Sequence, residues 1–191
     1  MIASVLTIGP REMSRIDLTD EYAIHKIVYE LFPGSRRTFL YYQYPFGGEK
    51  GVKILLLSEE QPLVPEMGKI ESKYVNDSFL SYKNYAFRVK LNPVTRVGDT
   101  STPVTGSDSL VSWFLEKQEQ WGFRVDENRL DLSDCGISII KKGQNTITLN
   151  KCTYMGVLEV IDQDRFIGSF EKGLGRAKGF GFGLLQLKPL R

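Results

Sequence analysis

Histidine is almost missing from this chain, with His25 the only one among 191 residues. Cysteine is nearly as scarce. Cys135 and Cys152 lie far apart without metal-type spacing, so a zinc set of imidazoles and thiolates is excluded. Both cysteines fall in strand-like segments and read as free, buried thiols in a reducing cytosol. No apolar run approaches the ~18 residues of a membrane span. The start, Met1 to Pro10, lacks a basic region followed by a long apolar core, so it reads as a first strand and not a signal peptide. A cytoplasmic protein without membrane contact is expected. There is no Gly-x-x-x-x-Gly-Lys-[Ser/Thr] loop and no Gly-x-Ser-x-Gly elbow around a nucleophilic serine. Gly173-Leu-Gly175 begins a Gly-x-Gly-x-x-Gly pattern, but Lys178 holds the sixth position, and the segment follows a helix instead of a strand. Neither ATP nor NAD is expected. Asp162 and Asp164 open a helix, where carboxylates favour the dipole, so they read as capping groups and not as magnesium ligands. No cofactor or metal is anticipated.

What the chain does contain is ordinary in bulk and uneven in distribution. Hydrophobic residues make up 41% and charged residues 25%, enough for a sizeable core. The net charge is only +2. Residues 97–136 nevertheless hold three Lys/Arg against eight Asp/Glu, while residues 137–191 hold nine against four. Such segregation fits a polyanion-facing surface in the C-terminal third.

The coarse pattern is a strand (2–9), a helix (18–31), strands (38–44, 52–58), a short helix near 63–70 and a strand (85–91). That is β-α-β-β-α-β, the ferredoxin-like order. A second pass follows: a helix over 108–121 capped by Ser107 or Asp108, then strands at 123–125, 136–142, 145–152 and 154–161. A helix over 163–172 lies between Asp162 and Gly173, and a last strand spans 182–187. The expectation is an α+β protein of two tandem ferredoxin-like domains, 1–93 and 94–191, joined at Asn92-Pro93 and the polar stretch after it.

Three places carry chemistry. In the first helix, Ile24, Ile27, Val28 and Leu31 form the core stripe, and His25 lies off it, with Tyr22 three residues before and Lys26 beside it. In the tail, five glycines fall between Gly173 and Gly183, with Arg176 and Lys178 among them. Exposed amides beside two cations suit a phosphodiester, although a tight helix-to-strand connection also uses glycines. Between two strands, Lys141-Lys142-Gly143 reads as a hairpin tip able to enter a nucleic-acid groove, or as a solubilising turn. Tyr41-Tyr42 is a candidate for stacking bases, although alternation within a strand explains it as well.

The tail Gly-Leu-Gly-Arg-Ala-Lys-Gly-Phe-Gly-Phe-Gly resembles the glycine-rich signature of the CRISPR RNA-processing endoribonucleases, and the chain is most similar to their CasE type. Tyr22-Ala-Ile-His25, extended by Leu31-Phe32-Pro33, resembles the Tyr-x-x-His helix of that type. Phe87 to Pro93 resembles its strand ending in Asn-Pro, and Gly156 to Val160 its penultimate strand. The resemblance implies tandem ferredoxin-like (RAMP-like) domains and binding of a CRISPR repeat stem-loop. It also implies one metal-independent cut at the hairpin base, with the 2′-hydroxyl as nucleophile and a cyclic phosphate as product. It implies further that the enzyme stays on the processed RNA and joins the Cascade protein subunits. By position, His25 matches the catalytic histidine and Tyr22 its partner. The RNA-binding set is Arg36, Arg37, Lys141, Lys142, Lys151, Arg176 and Lys178, with Gly175 and Gly179. The chain departs from its relatives after Asn-Pro: residues 98–107 carry no Lys or Arg where the family is more basic.

A single histidine can act as base or acid near neutrality, because an imidazole titrates there. Two rivals share the fold: a non-cleaving RNA-binding subunit, and a small-ligand regulatory module, since folds do not choose functions.

Overall fold

Alternation sets the first sheet. In β1 (Ile2–Ile8), Ile2, Ser4, Leu6 and Ile8 are buried on one face, and the residues between them lie on the other, with Ala3 and Thr7 half-buried and Val5 exposed. The computed structural model describes residues 1–13, 21–34, 36–45, 51–98 and 100–190, and the side chains of Glu21, Val97 and Lys142 lie outside the described set. After β1 come α1 (Pro10–Met13), α2 (Glu21–Glu30), β2 (Phe39–Gln43), β3 (Val52–Ser58) and β4 (Lys69–Tyr74). The expected start of the helix at 18–20 falls outside the described residues. These strands pair antiparallel in the order β2-β3-β1-β4.

The remaining elements are β5 (Asn84–Leu91), β6 (Val94–Val97), β7 (Thr100–Pro103), α3 (Ser107–Leu115), β8 (Phe123–Val125), β9 (Asp131–Lys142), β10 (Asn145–Val160), α4 (Gln163–Lys172) and β11 (Gln186–Leu190). The second sheet runs β11-β5-β10-β8, with β9 pairing β10 as a long hairpin and β6-β7 as a separate ribbon. Counting β5, α3, β8, β10, α4 and β11 gives a complete βαββαβ unit with the same strand order as the first. Two tandem ferredoxin-like units are therefore present, as the sequence pattern anticipates.

Several expectations need correction. No helix forms near 63–70. Pro62 and Pro65 lack backbone donors, Val64 is 90% exposed, and the chain turns into the polar edge strand β4. The strand at 84–91 does not close the first sheet but opens the second, so the change of sheet falls between Tyr74 and Asn84 and not at Asn92-Pro93. The helix expected over 108–121 ends at Leu115, flanked by Gly106 at its start, and a 3₁₀ turn completes the run to Trp121. The two strands expected over 145–161 are one 16-residue strand with a bulge between Lys151 and Thr153. The final strand begins at Gln186 and not 182, because Gly183 holds φ +82°, which an extended strand cannot contain. Cys135 and Cys152 are not free thiols. The β9–β10 pairing brings them face to face, and they form a disulfide across 17 residues.

Two apolar clusters organise these layers. One lies between α2 and the first sheet and includes Ile24, Val28, Leu31, Phe39, Tyr41 and Ile54. The other is shared by both units: Leu40, Tyr42 and Leu57 from the opposite face of the first sheet meet Phe87, Phe114, Phe166 and Leu184 of the second. The units are thus joined through hydrocarbon, which fixes α2 relative to the C-terminal tail.

Gly122 shows how tightly the second unit is built. It sits at φ +84°, and a Cβ there would lie 2.4 Å from the Phe166 amide nitrogen. Gly122→Ala is expected to destabilise the fold by about 1–3 kcal/mol. Asp162→Ala, which loses the cap accepting from the Arg165 amide, should cost about 1 kcal/mol. Urea unfolding midpoints measure both, and an unchanged midpoint in Gly122→Ala contradicts the packing described.

Candidate nucleic-acid cleavage site

Helix α2 buries Ile24 and Val28, with Leu31 just past its end, and leaves His25 half-exposed on a second face, as its spacing anticipates. Aromatic rings surround the imidazole. Tyr22 stacks at 5.4 Å between centroids, Tyr29 leans on it at 4.2 Å, and Phe180 from the glycine-rich tail stacks at 4.9 Å. The Lys26 ammonium sits over the Tyr22 ring at 5.4 Å. His25 Nδ1 lies 2.7 Å from the Gly179 carbonyl oxygen. A carbonyl cannot donate, so Nδ1 carries the proton and the lone pair of the neutral ring resides on Nε2. The same carbonyl accepts from the Tyr41 hydroxyl at 3.2 Å.

The tail reaches this position by a chain of backbone requirements. Gly173 ends α4, and a Cβ there would meet Leu40 at 2.7 Å. Ala177, a non-glycine residue, adopts φ +61° immediately before Lys178, a strained conformation at the turn that presents the tail to α2. The Leu174 amide donates to the Gly183 carbonyl, and the Gly183 amide donates to the Lys90 carbonyl, both at 2.8 Å. Gly179 has no left-handed φ, and a Cβ there would come within 2.9 Å of the Tyr29 hydroxyl, so a side chain at this position would push on the Tyr29 tip.

Beside this aromatic box opens a cleft of about 400 Å³, lined by Arg36, Arg37, Thr38, Glu171, Lys172 and Lys178 among others. Arg36 makes a long, exposed contact to Glu59 at 4.0 Å among the described residues. Partial burial, and then the Arg37 guanidinium, hold the Lys178 ammonium below the usual lysine range. Cations facing one another in a half-closed cleft attract an anion. Lys178 is the residue next to Gly179, so the cleft and the histidine share one stretch of backbone.

The structure brings together His25, Tyr22, Gly179, Lys178, Arg36 and Arg37. It leaves others apart. Arg176 donates to Ser101 on the β6–β7 ribbon at 3.3 Å. Lys151 pairs with Asp134 at 2.7 Å on the β9–β10 hairpin. Lys141 is exposed near the hairpin tip, and the Lys142 side chain lies outside the described set. Gly175 holds φ +66° beside Leu91, with no described contact to His25 or the cleft. Tyr41 and Tyr42 are buried and cannot stack bases. Phe180 is a site residue that sequence reasoning misses, and Tyr41, a stacking candidate by sequence, enters the site instead through its hydroxyl, since only tertiary contact brings both to the tail and His25, whereas Tyr29 is signalled by its place one turn after the histidine. A larger apolar cavity of about 500 Å³ lies between the units, lined by Leu55, Leu57, Phe79, Phe170 and Leu185 among others, away from this chemistry.

A family described as CRISPR associated protein matches residues 1–189. A Thermus thermophilus protein, "CRISPR-associated endoribonuclease Cse3", is 25% identical over 198 residues, covering 92% of this chain and 93% of its own. An Escherichia coli protein, "CRISPR system Cascade subunit CasE", is 24% identical over 188 residues, covering 90% of this chain and 93% of its own. The solved structure of Thermus thermophilus Cse3 bound to an RNA representing a pre-cleavage complex superposes with TM-score 0.85 at 20% identity, covering 98% of both chains.

The depressed Lys178 value has a thermodynamic sign. The unfolded chain holds this proton more readily than the folded chain does, so the charge opposes folding at neutral pH. The cost fades as pH rises through the depressed folded value toward the usual 10.5. Lys178→Met is expected to raise the melting temperature at pH 7 by roughly 1–2 °C, a small figure because a half-exposed charge is screened. The gain should shrink at high pH. A lower melting temperature at pH 7 would show the ammonium to be favourably paired.

Proposed function

The chain belongs to the CRISPR-associated protein family, of the CasE type, and from that premise we propose that it is the endoribonuclease that processes precursor CRISPR RNA. It binds the repeat stem-loop, cuts once at the hairpin base without a metal ion, and stays on the product as a Cascade subunit. The observation that carries this reading is the His25 imidazole, tied through Nδ1 to the Gly179 carbonyl beside a cationic cleft.

The chemistry follows from that arrangement. Neutral His25 keeps its proton on Nδ1 and uses the Nε2 lone pair to take the proton of the ribose 2′-hydroxyl. The 2′-oxygen attacks the adjacent phosphorus, the bond to the 5′-oxygen breaks as that oxygen takes a proton from solvent and the imidazolium releases one, and a 2′,3′-cyclic phosphate and a free 5′-hydroxyl remain. Tyr22, a poor base because phenols titrate near pH 10, donates a hydrogen bond that orients the phosphate. Arg36, Arg37 and Lys178 balance the charge gathered on the phosphorane. The β9–β10 hairpin, with Lys141 exposed near its tip, grips the stem, and Arg176 and Lys151 extend the contact along the backbone. So few acid–base groups leave positioning to supply much of the acceleration, and a product that stays bound limits the enzyme to a single turnover.

Labelled repeat RNA incubated with excess EDTA tests the reading. The wild-type protein is expected to cut. His25→Ala is expected to bind with wild-type affinity and to lose roughly 10²-fold or more in single-turnover rate. Full-rate cutting by His25→Ala removes the histidine from the mechanism. A wild-type protein that shifts the RNA without cutting it is a binding subunit instead. Arg37→Ala should weaken binding and reduce the slope of log K against log salt by about 1.

A further inference from the structure

Tyr41 lies in β2 with only 2% of its surface exposed, packed in the core between α2 and the first sheet. Its hydroxyl nevertheless leaves that core and donates to the Gly179 carbonyl at 3.2 Å, the oxygen that also takes His25 Nδ1–H at 2.7 Å. A peptide carbonyl has two lone pairs, so one oxygen can serve both donors. The Tyr41 ring is held in turn by the tail: a Cβ on Gly181 would come within 2.9 Å of Tyr41 Cε2. Helix, strand and tail therefore converge on a single oxygen atom.

A neutral imidazole in water prefers its proton on Nε2, so a site that needs the lone pair there must hold the less common tautomer. An acceptor fixed against Nδ1 does this, and a wandering one does not. Phe180 and Tyr29 limit the ring's tilt but contribute no acceptor of their own to it. We propose that Tyr41 is a positioning residue: by anchoring the Gly179 carbonyl it keeps His25 in the Nδ1–H tautomer, with Nε2 facing the reacting linkage. This rests on His25 being the reacting group, as proposed above.

His25 is the only histidine, so its ring nitrogens can be read without ambiguity by long-range proton–nitrogen correlation in ¹⁵N-labelled protein, at a pH where the ring is neutral. The wild-type ring is expected as the Nδ1–H tautomer. Tyr41→Phe keeps the ring and removes the hydroxyl. It should shift the imidazole toward a mixture containing the Nε2–H form and lower the single-turnover cleavage rate about three- to ten-fold, the effect of one hydrogen bond. The dissociation constant for the RNA should stay the same. A wild-type ring in the Nε2–H form overturns the proposal, and this reading needs no variant. So does a Tyr41→Phe protein whose tautomer or cleavage rate stays at the wild-type value. If His25→Ala cuts at full rate, the histidine's part in the proposed mechanism fails while the tautomer measurement still reports on Tyr41, so the two failures can be told apart.

Discussion

A single hydrogen bond, from His25 Nδ1 to the carbonyl of Gly179, spans 154 positions of sequence and joins the first unit's helix to the second unit's tail. Most of the site's features depend on it. It sets which imidazole nitrogen faces outward. It brings Phe180 onto the ring and Lys178 into the cleft that Arg36 and Arg37 line. Without the tail, α2 would present a half-exposed histidine flanked by two tyrosines, with no acceptor to choose its tautomer.

The tail can reach α2 because the two units share a core. Leu40 and Tyr42 of β2 point into the joint cluster, while Tyr41 between them points to the α2 side, where its hydroxyl meets the tail. Alternation along one short strand thus ties packing to chemistry. The glycines let the tail lie this close. Gly173 and Gly181 sit against Leu40 and Tyr41 where a methyl group would collide, and Gly183 holds a left-handed conformation between two backbone hydrogen bonds. Ala177 in the left-handed region and Lys178 with a disfavoured charge are local costs that the shared apolar core offsets.

How much of this the sequence reveals depends on how local each feature is. The α2 stripe and the face carrying His25 follow from helical spacing, and Asp162, Gly173 and Gly122 mark helix ends by their chemistry. Both ferredoxin-like units are legible as a rhythm of elements. Their division is not, because Asn84–Leu91 reads as a strand in any sheet and only pairing assigns it to the second. The edge strand Lys69–Tyr74 escapes notice for the opposite reason: its residues are nearly all exposed and carry no apolar pattern. The disulfide depends on the register of the β9–β10 hairpin, which spacing of cysteines cannot supply. Gly179 is visible as a glycine, but its use as an acceptor for His25 and Tyr41 is a fact of tertiary structure alone.

The tail's backbone, and not merely the presence of an imidazole on α2, makes the site. Gly183 touches neither His25 nor Tyr41 in any described contact, yet a Cβ there would lie 2.4 Å from the Leu174 carbonyl oxygen at a φ of +82°. The direct measurement is single-turnover cleavage of repeat RNA by Gly183→Ala, in protein shown by circular dichroism to remain folded. The expected rate is at least roughly 10-fold below wild type, with the RNA still bound. Cleavage at the wild-type rate would contradict it.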